Sequence, residues 1–391
     1  MPVKMPDGAC PVCGGERLSE FLRVDGVPVH QHVVYAEAAA ARAIPRGDLA
    51  MRICAACGFV FNAAFDAAKI AYGGEYESTQ AHSPWFTDYL ADLARRLDGH
   101  SRPHHVVEIG CGDGTFLRLL AGNTAMTGLG IDPSYRGRAS DCDGRLRFER
   151  RWFEDGNLPG PPVDLAICRH VIEHAPDPLR LLRAIRATLD ATRASRLYLE
   201  TPCVEWMLAN DVIWDWFYEH CSLFSAVSLG AAALRAGLAI GTVRHTFGGQ
   251  YLAIEATPRA EAPVPCPLAI DTSGSLALAR TFGAAFETKR AAWRARLREL
   301  AVRGPVAVWG AGAKGATFVN LVDPEARAIE CLIDLNPNKQ GRFAGGTGHP
   351  IGAVETLRER DVRTVILMNP NYRAETAQIL AREGLTPDVI D

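Results

Sequence analysis

Four short stretches of this chain carry residue types at spacings that can do chemistry. Two are cysteine turns, "CPVCGG" with Cys10 and Cys13 and "RICAACGFVF" with Cys54 and Cys57. Each C-x-x-C-G turn aims two sulfurs at one point, and the glycine after it lets backbone amides approach them. Two such turns complete a tetrahedral four-sulfur site for zinc, and four thiolates leave no open position, which makes the ion structural. The pairs lie about forty residues apart, wider than in the usual zinc ribbon. A redox C-x-x-C is the rival reading, but that motif comes singly. The other seven of the eleven cysteines read as small apolar filler.

The other two stretches are glycine loops. "VVEIGCGDGTF" runs from Val106 to Phe116 and has the form E-x-G-x-G-x-G, with Glu108, Gly110, Gly112 and Gly114. Its glycines let the backbone pass close to a ligand at a helix N-terminus. Some twenty residues on, "GLGIDPS" ends a strand at Asp132, where a carboxylate can accept both ribose hydroxyls of an adenosine cofactor. A further strand, "VDLAICRHVIEHAPDP", brings Arg169, His170, Glu173, His174 and Asp177 to its C-terminal end, the edge at which open α/β sheets bind ligands. The second loop, "VAVWGAGAKGATF", has Gly310, Gly312 and Gly315 in dinucleotide spacing, with Asp334 about twenty residues later.

The elements that must hold these residues follow from the pattern along the chain. Residues 1–72 are irregular and cysteine-punctuated, and are expected to form a small zinc module. Residues 73–257 alternate strand-like and helix-like segments, an α/β pattern. Residues 258–304 read as a Pro- and Ala-rich linker followed by a long helix with a basic C-terminal half. Residues 305–391 repeat the strand–loop–helix offer as a second, Rossmann-like α/β domain. A net charge of −3 argues against a basic face for nucleic acid. No apolar run reaches a membrane span, and "MPVKMPDGAC" has no signal-peptide h-region, so a cytoplasmic protein is expected.

The first loop, Asp132 and the H-x-x-E-H-x-x-D run together resemble the class I S-adenosylmethionine-dependent methyltransferases. The resemblance implies a Rossmann-like core that binds S-adenosylmethionine through Glu108, Gly110, Gly112, Gly114, Arg169 and His170, with Asp132 on the ribose. The order of the parts resembles, over nearly the whole chain, the sugar C-methyltransferases of deoxysugar biosynthesis. The similarity extends to "YGGEYESTQAHS", "LYLETPCVEWML", "DWFYEHCSLFSAVSL", "GAGAKGATFVN" and "IDLNPNKQGRFAGGTGHPI".

That resemblance implies carbon methylation of a nucleotide-linked keto sugar, with His220 as the base that removes a proton beside the ketone. Glu219 would orient it, and Tyr218, Tyr76, His174 and Gln250 would assist. Gly312, Lys314 and Gly315 would make a cationic turn for a diphosphate, with Lys339 adding charge. This chain departs from the family where Tyr-His-Glu-His reads Phe217-Tyr218-Glu219-His220, where His-Gly-Gly-Ser reads Phe247-Gly248-Gly249-Gln250, and where Trp-Asn reads Met368-Asn369. The changes fall where an acceptor would be read, so another sugar or small molecule stays open. Oxygen or nitrogen methylation stays open too, as does a nicotinamide oxidoreductase using the second loop.

Overall fold

The computed structural model describes residues 8–70, 79, 81–101, 103–122, 124–156, 158, 160–190, 194–259 and 270–391. Its centre is an eight-stranded sheet. From one edge the strands are Leu238–Thr246, Tyr251–Pro258, Arg196–Pro202, Leu165–Arg169, His105–Ile109, Thr127–Ile131, Leu146–Glu149 and Ser140–Asp141. The five strands from Arg196–Pro202 to Leu146–Glu149 are parallel, and Tyr251–Pro258 joins them antiparallel. The parallel strands are near-continuous apolar runs because both faces are covered; Val106, Val107, Leu165, Ala166, Ile167 and Cys168 are fully buried.

The chain leaves His105–Ile109 toward Thr127–Ile131 on one side and later returns to Leu165–Arg169 on the other. The carboxyl end of His105–Ile109 is therefore a topological switch point, where a crevice opens. A second sheet of five parallel strands repeats the device. In it, Val306–Trp309 lies between Cys331–Ile333 and Thr364–Leu367.

The N-terminal module is not self-contained. Its antiparallel strands Leu18–Pro28, Arg46–Cys54 and Val60–Asn62 are completed by Ser222–Leu223, which belongs to the core by sequence. Its short strand Val34–Tyr35 pairs with Phe343–Ala344 of the C-terminal domain. The 31-residue helix Ser273–Arg303 ties the parts together. Phe282 packs 5.1 Å from Trp216, and Trp293 meets Phe318 at 5.2 Å. At Gly283 the helix crosses strand Leu18–Pro28 so closely that a Cβ would stand 1.9 Å from the Phe21 carbonyl oxygen.

Candidate active site between the two glycine loops

The first loop is built by backbone contacts that only glycine allows. Gly110 has φ +71°, and a Cβ there would meet Val171 Cγ2 at 2.1 Å. Gly110 N donates to Ile131 O (2.8 Å), and Gly112 N donates to Asp132 Oδ2 (2.9 Å). Gly114, at φ +80°, starts the helix Thr115–Ala121, and a Cβ on it would strike the Phe148 ring at 2.5 Å. Asp132 Oδ1 accepts from Ser134 N (2.7 Å) and Ser134 Oγ (2.6 Å). Oδ2 keeps an open lone pair, and Ser134 must release Oδ1 before the carboxylate can take both hydroxyls of a ribose.

Beneath the loop, Glu108 is buried. Desolvation, reinforced by Asp113 and Asp132 and partly offset by Arg169, pushes its carboxyl up to about 8. Its Oε2 finds no hydrogen-bond partner among the described residues, an orphaned polar atom facing a cavity. The glycine cradle, Asp132 and this orphan fit an adenosine-type cofactor.

At the end of Leu165–Arg169 the side chains divide their work. Arg169 lines the cavity and is held by Glu200: Nε and Nη2 donate to Glu200 Oε1 (3.2 and 3.1 Å), and the guanidinium lies 4.8 Å over Phe116. His170, at φ +54°, has Nδ1 3.4 Å from Glu173 Oε1 and Nε2 3.3 Å from Glu200 Oε1. Burial by itself would keep this ring neutral, but the two carboxylates outweigh it and push His170 up to about 9. Glu200 is the hub beneath, accepting also from the hydroxyls of Tyr89 and Tyr198.

His174 and His220 meet edge to face with ring centroids 4.8 Å apart. Burial and the neighbouring His174, His32, His170 and Lys314 hold His220 well below the usual histidine range, so its imidazole is neutral at pH 7. Glu173, His174 and His220 offer three metal-type ligand atoms within 4.8 Å of one another. The Glu173 carboxylate is already answered by cationic His170, which opposes a divalent ion there.

The second loop lines the same cavity of about 830 Å³, facing the first. Gly310 N donates to Ile333 O (2.7 Å) and Ala311 N to Asp334 Oδ2 (2.9 Å). Gly315 is needed because a Cβ would stand 1.9 Å from Gly310 O, whereas the space around Gly312 is open. The cations expected for a diphosphate are engaged within the protein. Lys314 pairs with Asp215, and buried Lys339 donates to Ala311 O (3.3 Å) and Asp334 Oδ2 (3.4 Å). Gln250 lines the cavity, and its side-chain amide exchanges two hydrogen bonds with that of Asn369 across the two domains: Gln250 Nε2 donates to Asn369 Oδ1 (2.7 Å) and Asn369 Nδ2 to Gln250 Oε1 (3.0 Å).

Two expected catalytic residues face away from this cavity. Glu219 Oε1 accepts from Gln31 N (3.1 Å) and meets His30 Nδ1 at 3.2 Å. The Tyr218 hydroxyl accepts from Asp66 N (2.9 Å), and its ring covers Gly47. Successive side chains here point different ways, so His220 reaches the cavity while its two predecessors bind the N-terminal module. Tyr76 lies outside the described residues. Sequence reasoning missed His32 and Phe65, which enter the cavity from the cysteine module, and Asp215 and Tyr372. No motif marks them.

The four cysteines come together as expected. Cys10 Sγ lies 3.6 Å from Cys57 Sγ, and Cys13 Sγ 3.5 Å from Cys54 Sγ. A zinc–sulfur bond of about 2.3 Å implies tetrahedral edges of roughly 3.8 Å, so the cluster fits that ion. Gly15 N and Ala56 N donate to Cys13 and Cys54 (3.3 and 3.4 Å), the amide contacts the turn sequence implied.

Residues 81–243 match the family of methyltransferase domains, and residues 272–384 match the C-methyltransferase C-terminal domain. The chain carries an S-adenosylmethionine-dependent methyltransferase domain. A 2-ketoarginine methyltransferase from Streptomyces arginensis is 53% identical over 66 residues, which is 16% of this chain and 19% of that protein. Two solved structures from Burkholderia thailandensis are similar at lower identity. An O-methyltransferase family protein is 21% identical, covering 45% of this chain and 57% of that one, with a TM-score of 0.38. A 1,6-didemethyltoxoflavin-N1-methyltransferase, with bound 1,6-didemethyltoxoflavin and S-adenosylhomocysteine, is 18% identical, covering 45% and 80%, with a TM-score of 0.36. No helix among the described residues of this methyltransferase is long and apolar enough to cross a membrane.

Proposed function

We propose that this methyltransferase transfers a methyl group to carbon beside a carbonyl of a small molecule held between the two glycine loops. The observation that carries the reading is that the cofactor loop and the neutral imidazole of His220 line one cavity. S-adenosylmethionine, when bound, supplies an electrophilic methyl on a sulfonium. The Gly110–Gly114 loop would hold it, with Asp132 on the ribose and the orphaned Glu108 carboxyl as a further polar contact. The remaining need is a carbon nucleophile, formed by losing a proton next to the carbonyl. His220, kept neutral by its surroundings, takes that proton. The nearby cations His170 and Lys314 stabilise the negative charge that develops on the acceptor.

For the acceptor, the resemblance favours a nucleotide-linked keto sugar, supported by the open helix N-terminus at Gly312. A 2-keto acid is a second reading. Lys314 and Lys339 are already paired, and the relative with a matching stretch acts on 2-ketoarginine by its name. Both acceptors carry the carbonyl the chemistry needs. The cysteine cluster would hold one structural zinc.

A screen of nucleotide-linked sugars and 2-keto acids, with and without the keto group, against methyl-labelled S-adenosylmethionine tests this. Methylation on carbon is expected. So is exchange of the acceptor's neighbouring proton with deuterated solvent when S-adenosylhomocysteine replaces the donor. A new methyl on oxygen or nitrogen, or an acceptor without a carbonyl, defeats the reading.

A further inference from the structure

The segment that carries His220 is attached to the cysteine module on both sides of that residue. Before it, the Tyr218 hydroxyl accepts from Asp66 N (2.9 Å) and Glu219 Oε1 accepts from Gln31 N (3.1 Å). After it, Asn62 N donates to Cys221 O (3.0 Å), Ser222 and Leu223 pair with Phe61 and Val60, and Phe224 packs 5.0 Å from Phe59. His220 alone in the run from Tyr218 to Leu223 turns its side chain into the cleft.

The module also enters the cleft itself. His32 lines it, two residues after His30, which meets Glu219 at 3.2 Å. The Gln31 side chain donates to Pro28 O (2.8 Å), which stiffens the turn that delivers His32. Glu219 is therefore a shared anchor, joining the backbone that presents His220 to the backbone that presents His32.

We infer that the cysteine module completes the acceptor site, placing His32 beside the acceptor as a polar contact and, through Tyr218 and Glu219 as positioning residues, setting where His220 stands. This rests on the reading of His220 as an acceptor-side group. It assigns the module a part in catalysis beyond the stability of its own fold. The cofactor loop, by contrast, is braced by Ile131, Asp132, Val171 and Phe148 of the core and, among the described residues, makes no hydrogen bond to the module.

The test uses the full chain, with histidine-selective isotope labelling and His220→Asn to assign the His220 signal. His32→Asn removes a neighbouring imidazole that holds the His220 titration down, so that titration moves upward. Glu219→Gln loosens the shared anchor and shifts the signals of both His220 and His32. S-adenosylhomocysteine affinity, measured by calorimetry, stays within about twofold in each variant. With pyruvate and a nucleotide-linked 4-keto sugar as probe acceptors, turnover falls by up to about 10²-fold, the scale of a misplaced reacting group.

An unmoved His220 signal in both variants overturns the inference. So does a loss of S-adenosylhomocysteine affinity that parallels any loss of turnover, which would mean general unfolding. If Glu219→Gln does not fold, His32→Asn decides alone. If neither probe is methylated by the unaltered protein, the acceptor reading fails while the resonance arm still judges the placement.

Discussion

The two glycine loops share a backbone plan and differ in what their acidic residue is left to do. In each, the first glycine amide turns back to the neighbouring strand, Gly110 to Ile131 at 2.8 Å and Gly310 to Ile333 at 2.7 Å. In each, a carboxylate at the end of the next strand accepts a loop amide at 2.9 Å, Asp132 from Gly112 and Asp334 from Ala311. No cation among the described residues pairs with Asp132, whereas Lys339 lies 3.4 Å from Asp334. One lysine occupies in the second loop the carboxylate that the first leaves without a cation. In the proposed reading the same strand–loop–helix turn would serve as a cofactor cradle on one side of the cleft and as an acceptor-facing surface on the other.

The sharpest way to break this comparison is to fill the glycines. Gly110→Val combines a left-handed backbone with a collision against Val171, and is expected to abolish S-adenosylmethionine binding. Gly312→Val meets open space and should leave donor affinity unchanged by calorimetry. The reverse pattern would mean that the cofactor sits in the second loop. Next in size, His220→Asn should cut turnover by roughly 10²–10⁴, the usual contribution of a positioned base. Donor affinity should hardly change, which places the loss on the acceptor side of the cleft.

The acidic residues give a smaller contrast. Asp132→Ala should weaken donor binding by about 1.5–3 kcal/mol, the scale of hydrogen bonds to a charged group. Asp334→Ala should not weaken it, and should instead lower the melting temperature, because it strands buried Lys339. The smallest effect is a pH dependence of stability. His170 titrates higher in the folded chain, about 9, than an ordinary histidine at 6.5. Its ion pairs with Glu173 and Glu200 therefore stabilise the fold fully below pH 6.5, and that contribution is lost as pH rises through 9. His170→Gln should flatten this slope in denaturant titrations at pH 6 to 10, and an unchanged slope would place its origin elsewhere.

The cysteine module, the core and the second α/β domain were legible because each announces itself locally. Cysteines at C-x-x-C spacing must converge if they share an ion, and a glycine loop between an apolar strand and a helix has few other uses. Arg169 shows the limit of that reasoning. Its place at the end of Leu165–Arg169 put it at the cavity that the first loop lines, but its pairing with Glu200 there was not legible in the motif. Glu200 sits thirty-one positions further on, in a strand whose parallel register brings it opposite Arg169. Tyr218 and Glu219 show the same limit. A family pattern puts them next to His220 in sequence, but their partners, Asp66 and Gln31, belong to a module more than a hundred and fifty residues earlier.

The sequence by itself determined the fold class, the four-cysteine cluster and the glycine loop with Asp132 beside it, because those depend on short-range spacing and on backbone conformations that only certain residues adopt. Tertiary structure alone decided which charges remain available. Lys314 meets Asp215 across a domain boundary, and His220 is held neutral partly by His32 of the cysteine module and Lys314 of the C-terminal domain, whereas Lys339 with Asp334 and His170 with Glu173 and Glu200 come together within one domain. Charge state in a buried cleft depends on distance and desolvation in three dimensions, and neither is written in the local order of residues.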